Sequence, residues 1–264
     1  MTRCASAVAC AAILAVAAGV LAAEEAKAPA KLNVLVLTGG HGFDKAKFPE
    51  AFAGQADIGV EIRQVREKGK PGLFDDVSKW PYDVLALYNF NQKLSPAEQE
   101  NFLKLLDRGV GLVVLHHAIA AYPNWDEYER IAGCKYFLQP MERDGVKYER
   151  SIWKHDEDIP VHVEDANHPI TKGLKDFVVN DETYGKWTYH PGSHVLLTTN
   201  HPRNTKQLAW VKTYRKSRVF FCQLGHGPGA FGNANFQRLV AQGIRWTAGR
   251  LDAPQKAGAK ASGT

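Results

Sequence analysis

The sequence predicts an α/β domain with a mainly parallel sheet, helices on both faces and a loop-rich β insertion in its second half. Three observations carry this expectation. Short apolar runs alternate with helix-like stretches from Leu32 to Leu115, which is the rhythm of strands joined by crossover helices. Several of those runs are apolar throughout, as in a sheet covered on both sides. From about Tyr148 to Phe221 the helical stretches stop, and short strand-like runs lie between loops rich in His, Pro, Asn and Gly.

The elements follow in order. "LNVLVL" (32–37) reads as a strand, interrupted only by Asn33. "DKAKFPEAFAGQ" (44–55) reads as a helix, weakened by Pro49. "IGVEIRQV" (58–65) alternates polar and apolar residues and reads as a strand nearer an edge. "LFDDVSKW" (73–80) is a short helix or turn, and "YDVLALYNF" (82–90) a third strand. "SPAEQENFLKLLDRG" (95–109) carries a complete helix signature. Ser95 is placed to cap, Pro96 to open the first turn, Glu98 to complete a capping box and Gly109 to stop the helix. "VGLVVL" (110–115) is the fourth strand. "PVHVED", "HVLLTTN", "QLAWVKTY" and "RVFFCQL" are short strands, and "NANFQRLVAQGIRWTAG" (233–249) closes the domain as a helix.

The ends have a different composition. Residues 1–23 read as a signal peptide, with Arg3 ahead of a small-residue apolar run and cleavage near Ala22 or Ala23. The apolar run is barely long enough to span a bilayer, so stable membrane insertion is not expected. Residues 24–30 are expected to be a disordered linker, 31–250 the domain and 251–264 a disordered tail. The mature protein is then periplasmic or extracellular. Two cysteines remain after the leader, Cys134 and Cys222, too few for a disulfide framework. Cys222 lies in an apolar strand and is expected to be a buried free thiol. The net charge of +5 is dispersed, with no basic stripe, which argues against nucleic acid.

In open α/β sheets, ligands bind beyond the carboxyl ends of the strands. Here those ends read "TGGHGF" (38–43), "YNF" (88–90), "LHHA" (115–118) and "LGHGPG" (224–229). His41, His116, His117 and His226 therefore point to one rim. "GGHG" has neither the spacing of a dinucleotide fingerprint nor the lysine of a Walker loop. At "LHHA", α/β hydrolases and amidotransferases place a Cys or Ser nucleophile on a strand-to-helix elbow. This chain has histidine there, which disfavours glutaminase and esterase chemistry and points to acid–base or metal-ligand roles. One of the two histidines is expected to be structural. "VVNDETYGKW" (178–187) reads as a polar loop carrying Asp181, Glu182 and Tyr184, a carboxylate source for those histidines.

Together "NVLVLTGGHGF", "GVGLVVLHHA", "DANHPITKGL", "DETY" and the stretch from Gln207 to Gly249 resemble the trehalose-utilisation, or ThuA-like, family. The resemblance spans roughly Leu32 to Gly249. It implies a flavodoxin-like, class I glutamine amidotransferase-like fold and a link to disaccharide or keto-sugar catabolism. It marks His41, His116, His117, Glu182 and His226. The expected function is an enzyme acting on a small carbohydrate, with His117, Glu182 and His116 catalytic and His41, His226, Asn89 and Tyr184 binding substrate. The cofactor is open, and a divalent metal such as zinc would suit the residues. The alternative is a non-catalytic carbohydrate-binding module of a sugar-processing assembly, with Trp125, Trp153 and Trp187 as stacking platforms. The oligomeric state stays open.

Overall fold

The computed structural model describes residues 30–67 and 69–251. The expected signal peptide (1–23), residues 24–29 of the expected linker and residues 252–264 of the expected tail lie outside the described residues, as do Cys4 and Cys10.

The chain forms β1 (Leu32–Gly39), β2 (Ile58–Gln64), β3 (Val84–Asn89), α1 (Pro96–Asp107), β4 (Gly111–Leu115), α2 (Asp126–Ala132), β5 (Cys134–Lys135), β6 (Met141–Arg143) and β7 (Val146–Tyr148). It continues with β8 (Ile152–Val163), β9 (Phe177–Gly185), β10 (Thr188–Tyr189), β11 (His194–Thr198), β12 (Gln207–Tyr214), β13 (Ser217–Cys222), α3 (Pro228–Phe231) and α4 (Ala234–Thr247).

The main sheet runs β2-β1-β3-β4-β13-β12-β11-β8-β9. Pairing is parallel from β2 to β13 and antiparallel from β13 to β9. The sheet is therefore mixed. The strands of the second half extend the main sheet, and among the described residues only β5 with β10 and β6 with β7 form ladders of their own.

Strand alternation assigns the core to two faces. Val34, Val36, Ala86 and Phe220 pack with Phe236, Leu239 and Ile244 of α4 on one side. Leu35, Leu37, Leu85 and Phe221 pack with Phe102 and Leu105 of α1 and Ile131 of α2 on the other. Each Leu or Phe fully withdrawn from water contributes about 1.5–3 kcal/mol, so burial on both faces holds the sheet between its helices.

Helix α1 starts as its sequence requires. The Ser95 side chain accepts from the Glu98 amide, and the Glu98 carboxylate accepts from the Ser95 amide. Gly109 follows the helix at φ +84°. Two expectations need correction. The segment 44–55 is not a helix of that length. It is a single 3₁₀ turn, Phe48–Phe52, because Pro49 supplies no N–H and disfavours helical backbone at the residue before it. "VVNDETYGKW" is not a polar loop. Most of it is β9, in which Asp181, Glu182, Thr183 and Tyr184 are all buried. Cys134 and Cys222 are buried free thiols that belong to opposite faces of the sheet.

Candidate functional site

The parallel strands deliver their loops to one rim, and each loop is shaped by local backbone chemistry. After β1, Gly39 and Gly40 take φ +132° and +78°. A Cβ on Gly40 would lie 1.8 Å from the Phe90 carbonyl oxygen, so only glycine lets this loop press against the end of β3. The loop lays the His41 ring on His117, with centroids 4.6 Å apart. After β4, His116 takes φ +51° and opens the 3₁₀ turn His116–Ala120. A non-glycine residue in this left-handed region costs roughly 1–3 kcal/mol. It marks a true elbow, with histidine where related architectures carry a nucleophile.

The elbow sends its two histidines to different tasks. His116 is fully buried, and its Nδ1 donates to the Gln223 carbonyl at 2.8 Å. Its Nε2 lies 3.0 Å from the Tyr184 hydroxyl, 3.1 Å from Glu182 Oε2 and 3.3 Å from His226 Nδ1. His117 donates from Nε2 to the Tyr88 carbonyl at 3.0 Å, and its buried Nδ1 has no hydrogen-bond partner. A neutral imidazole that donates from one nitrogen carries its lone pair on the other, so Nδ1 is the basic atom of His117.

Glu182 reaches this cluster through a β-bulge. Along β8 and β9, Lys154 pairs with Thr183 and Glu157 with Asp181. His155 and Asp156 therefore stand opposite the single residue Glu182, and Asp156 takes φ +57°. Such bulges bend a strand and re-aim its side chains. Here His155 Nδ1 comes within 3.4 Å of Glu182 Oε1, and its ring lies 4.3 Å from that of His226.

Asp181 fixes the fourth loop. Its carboxylate accepts from the backbone amides of Gly225 at 2.7 Å, His226 at 2.8 Å and Glu182 at 2.9 Å. Tyr88 adds a bond from its hydroxyl to the Gly225 carbonyl. The turn that carries His226 is thus tied to both β9 and β3.

These groups border a cavity of about 270 Å³ lined in part by His41, His117, Glu182 and Tyr184. His116 sits behind its wall, and His226 is partly exposed beside it. Asn89 is not in the lining. It continues the face of β3 that carries Leu85 and Leu87, and is fully buried. Residues that sequence reasoning left out do line the cavity, notably His155, Arg150 and Tyr136. The bulge signal for His155 exists only once the strands are paired. Of the three candidate stacking tryptophans, Trp125 and Trp187 are core residues, whereas Trp153 is exposed and borders the cavity.

The electrostatics follow from burial. Desolvation pushes His117 well below the ordinary histidine range, helped by His116 and His41. Desolvation also lowers His41. Burial alone would raise Glu182, but the adjacent His116 and His226 hold it well below the usual carboxylate range. Burial raises Asp181 against the pull of His116 and the three amides. The arrangement offers a buried carboxylate, a neutral histidine with an open nitrogen and a set of converging donor atoms. His116, Glu182 and His226 each offer one such atom, all within 4.8 Å of one another.

Among solved structures, the fold is similar to a ThuA-like protein from Parabacteroides merdae, at 21% identity and TM-score 0.68 over 83% of this chain and 90% of that one. A ThuA-like protein from Bacteroides uniformis is similar at 22% identity and TM-score 0.56, covering 84% and 93%. A cytoplasmic protein from Salmonella typhimurium is similar at 14% identity and TM-score 0.57, covering 82% and 99%. No curated protein matches the chain. The sequence matches the ThuA family, described as trehalose utilisation, over residues 33–247. That match spans the whole sheet and every loop of the rim, and the chain belongs to the ThuA family.

Proposed function

We propose that the protein is an exported enzyme that acts on a disaccharide or keto-sugar, with His117 as the group that takes a proton from the substrate. The observation that carries this reading is the open Nδ1 of His117, a lone pair without a partner in a residue that lines the cavity. A general base must reach the proton it removes, and the stacked His41 and the bond to the Tyr88 carbonyl keep the ring in place on the cavity wall. The carbon acid of such a reaction is a C–H next to a keto group, and Arg150 supplies positive charge in the same cavity.

Two features support a substrate with more than one ring. Exposed Trp153 borders the cavity and presents an aromatic face of the kind that stacks on a sugar. Tyr136 and Leu138 also border a second cavity of about 550 Å³, which contains Asn91, Asn124, Gln139 and Arg143. Export rests on the leader at residues 1–23.

The test is turnover by the purified mature chain on trehalose and other disaccharides and on their keto forms, with His117→Gln as the paired variant. Turnover that the variant loses supports the reading. Tight sugar binding without turnover would favour the non-catalytic module, for which the exposed face of Trp153 is the specific observation.

A further inference from the structure

We propose that His116 Nε2, Glu182 Oε2 and His226 Nδ1 form a three-ligand site for a divalent transition metal, with zinc as the best-fitting ion. The proposal adds to the acid–base reading of His117 and stands without it.

The three atoms form a nearly equilateral triangle with edges of 3.1, 3.2 and 3.3 Å. Zinc binds histidine nitrogen and carboxylate oxygen at about 2.0–2.1 Å, so three corners of a tetrahedral site lie about 3.3–3.4 Å apart and three adjacent corners of an octahedral one about 2.9 Å. The observed edges lie between these, nearer the tetrahedral value. The centre of such a triangle is about 1.9 Å from each corner, so an ion at zinc's bond length sits less than about 1 Å out of the plane. No atom of the triangle has to move far to bind.

Hydrogen bonding points the same way. Glu182 is 3% exposed, and its Oε2 has no hydrogen-bond partner even though two imidazole nitrogens lie within 3.2 Å. The three atoms converge on a common point, where the two imidazole nitrogens bond to each other and Glu182 Oε2 is left without a bond. A buried carboxylate oxygen without a bond costs free energy, and a cation at that point removes the cost.

The surroundings have the form of a metal site's support. His116 donates from its other nitrogen to the Gln223 carbonyl, which fixes the ring and leaves the lone pair on Nε2. The Gln223 side chain is held in turn by two bonds to Asn204, each 2.8 Å. The backbone of His226 is clamped by Asp181. The Tyr184 hydroxyl donates to His116 Nε2 at 3.0 Å, a bond that a metal would replace at that nitrogen. Two histidines and one carboxylate leave at least one position open, which is the pattern of catalytic rather than structural zinc. An all-oxygen shell of the kind magnesium and calcium prefer is absent from these three ligands.

The rival occupant is a proton shared between His226 and Glu182. The two are separated by metal analysis of the mature chain, purified without a histidine tag. We expect about one zinc per chain after loading and dialysis. Cobalt(II) in its place should give the visible absorption bands of a low-coordinate site. Glu182→Gln and His226→Ala should each weaken zinc binding at least tenfold while keeping the circular dichroism of the parent. His226 is partly exposed, so its variant remains informative if Glu182→Gln fails to fold. His117→Gln should keep the metal. A parent chain with less than a tenth of an equivalent of zinc and no cobalt bands would overturn the proposal, as would variants that bind like the parent. Normal turnover by His117→Gln would sink the acid–base reading and leave the metal site standing.

Discussion

His117 Nε2 lies 3.0 Å from the carbonyl oxygen of Tyr88, and that one contact decides which face of the imidazole is basic. The bond fixes the tautomer and leaves Nδ1 as the free nitrogen of a ring that stacks on His41. A glutamine at 117 can still donate to Tyr88 but cannot take a proton. His117→Gln should therefore reduce turnover by about 100- to 10,000-fold, the usual worth of a general base. Its thermal midpoint should fall far less than that of His117→Ala. A midpoint loss as large as that of the alanine variant, with turnover retained, would make this histidine structural.

Tyr184→Phe tests the wall behind the cavity. The hydroxyl it removes meets His116 Nε2 at 3.0 Å in a buried setting. The expected loss is about 0.5–1.5 kcal/mol, the net worth of one such bond, read by urea denaturation. A variant as stable as the parent would show that this contact carries no weight.

Gly40 and Gly42 form a matched pair in one loop. Gly40→Ala forces a methyl group toward the Phe90 oxygen at a residue with φ +78°, whereas a Cβ on Gly42 meets nothing within 4 Å. The first should cost more than about 1 kcal/mol and displace His41 from His117. The second should be close to neutral. Equal effects in denaturation and turnover would contradict the close approach of this loop to β3.

His168 gives a pH prediction away from the cavity. Its Nδ1 accepts from the Ile170 amide at 3.2 Å, and protonation there ends that bond. Burial, followed by the charge of His194 and opposed by Asp165, lowers its pKa to about 4. The unfolded histidine, near 6.5, binds a proton first as the pH falls. The stability that neutral His168 contributes is thus complete above about pH 6.5 and is lost progressively toward pH 4. His168→Asn keeps an acceptor for the Ile170 amide but does not titrate. Its urea midpoint should fall less than that of the parent across this window, and parallel curves would rule the effect out.

The parallel half of the fold was legible because its signals are local. Apolar runs with both faces covered mark β1, β3 and β4, and the capping box from Ser95 to Glu98 marks α1. The rim histidines were legible because they directly follow strands. β9 was not, since Asp181, Glu182 and Thr183 look like surface residues until their partners are known. Asp181 is satisfied by amides 44 and 45 residues away in sequence. His155 was missed because its direction depends on a bulge that exists only against Glu182. Asn89 was misplaced because nothing in "YNF" says where the strand's alternation stops. The division of labour between His116 and His117 depends on a positive φ that no spacing reveals.

The hairpin of β8 and β9 is fastened to the rest of the sheet by a short ladder, with Val163 and His162 against Leu197 and Thr198. β9 itself has a neighbour on one side only. Margins of this kind open at a lower free energy than the middle of a sheet. Half of the histidine–carboxylate cluster rides on that margin, and the other half is anchored to β4 and β13 in the interior. Gentle heating should part Glu182 and His155 from His116 and His117 while the central strands stay closed, so any turnover should be lost at a lower temperature than the fold.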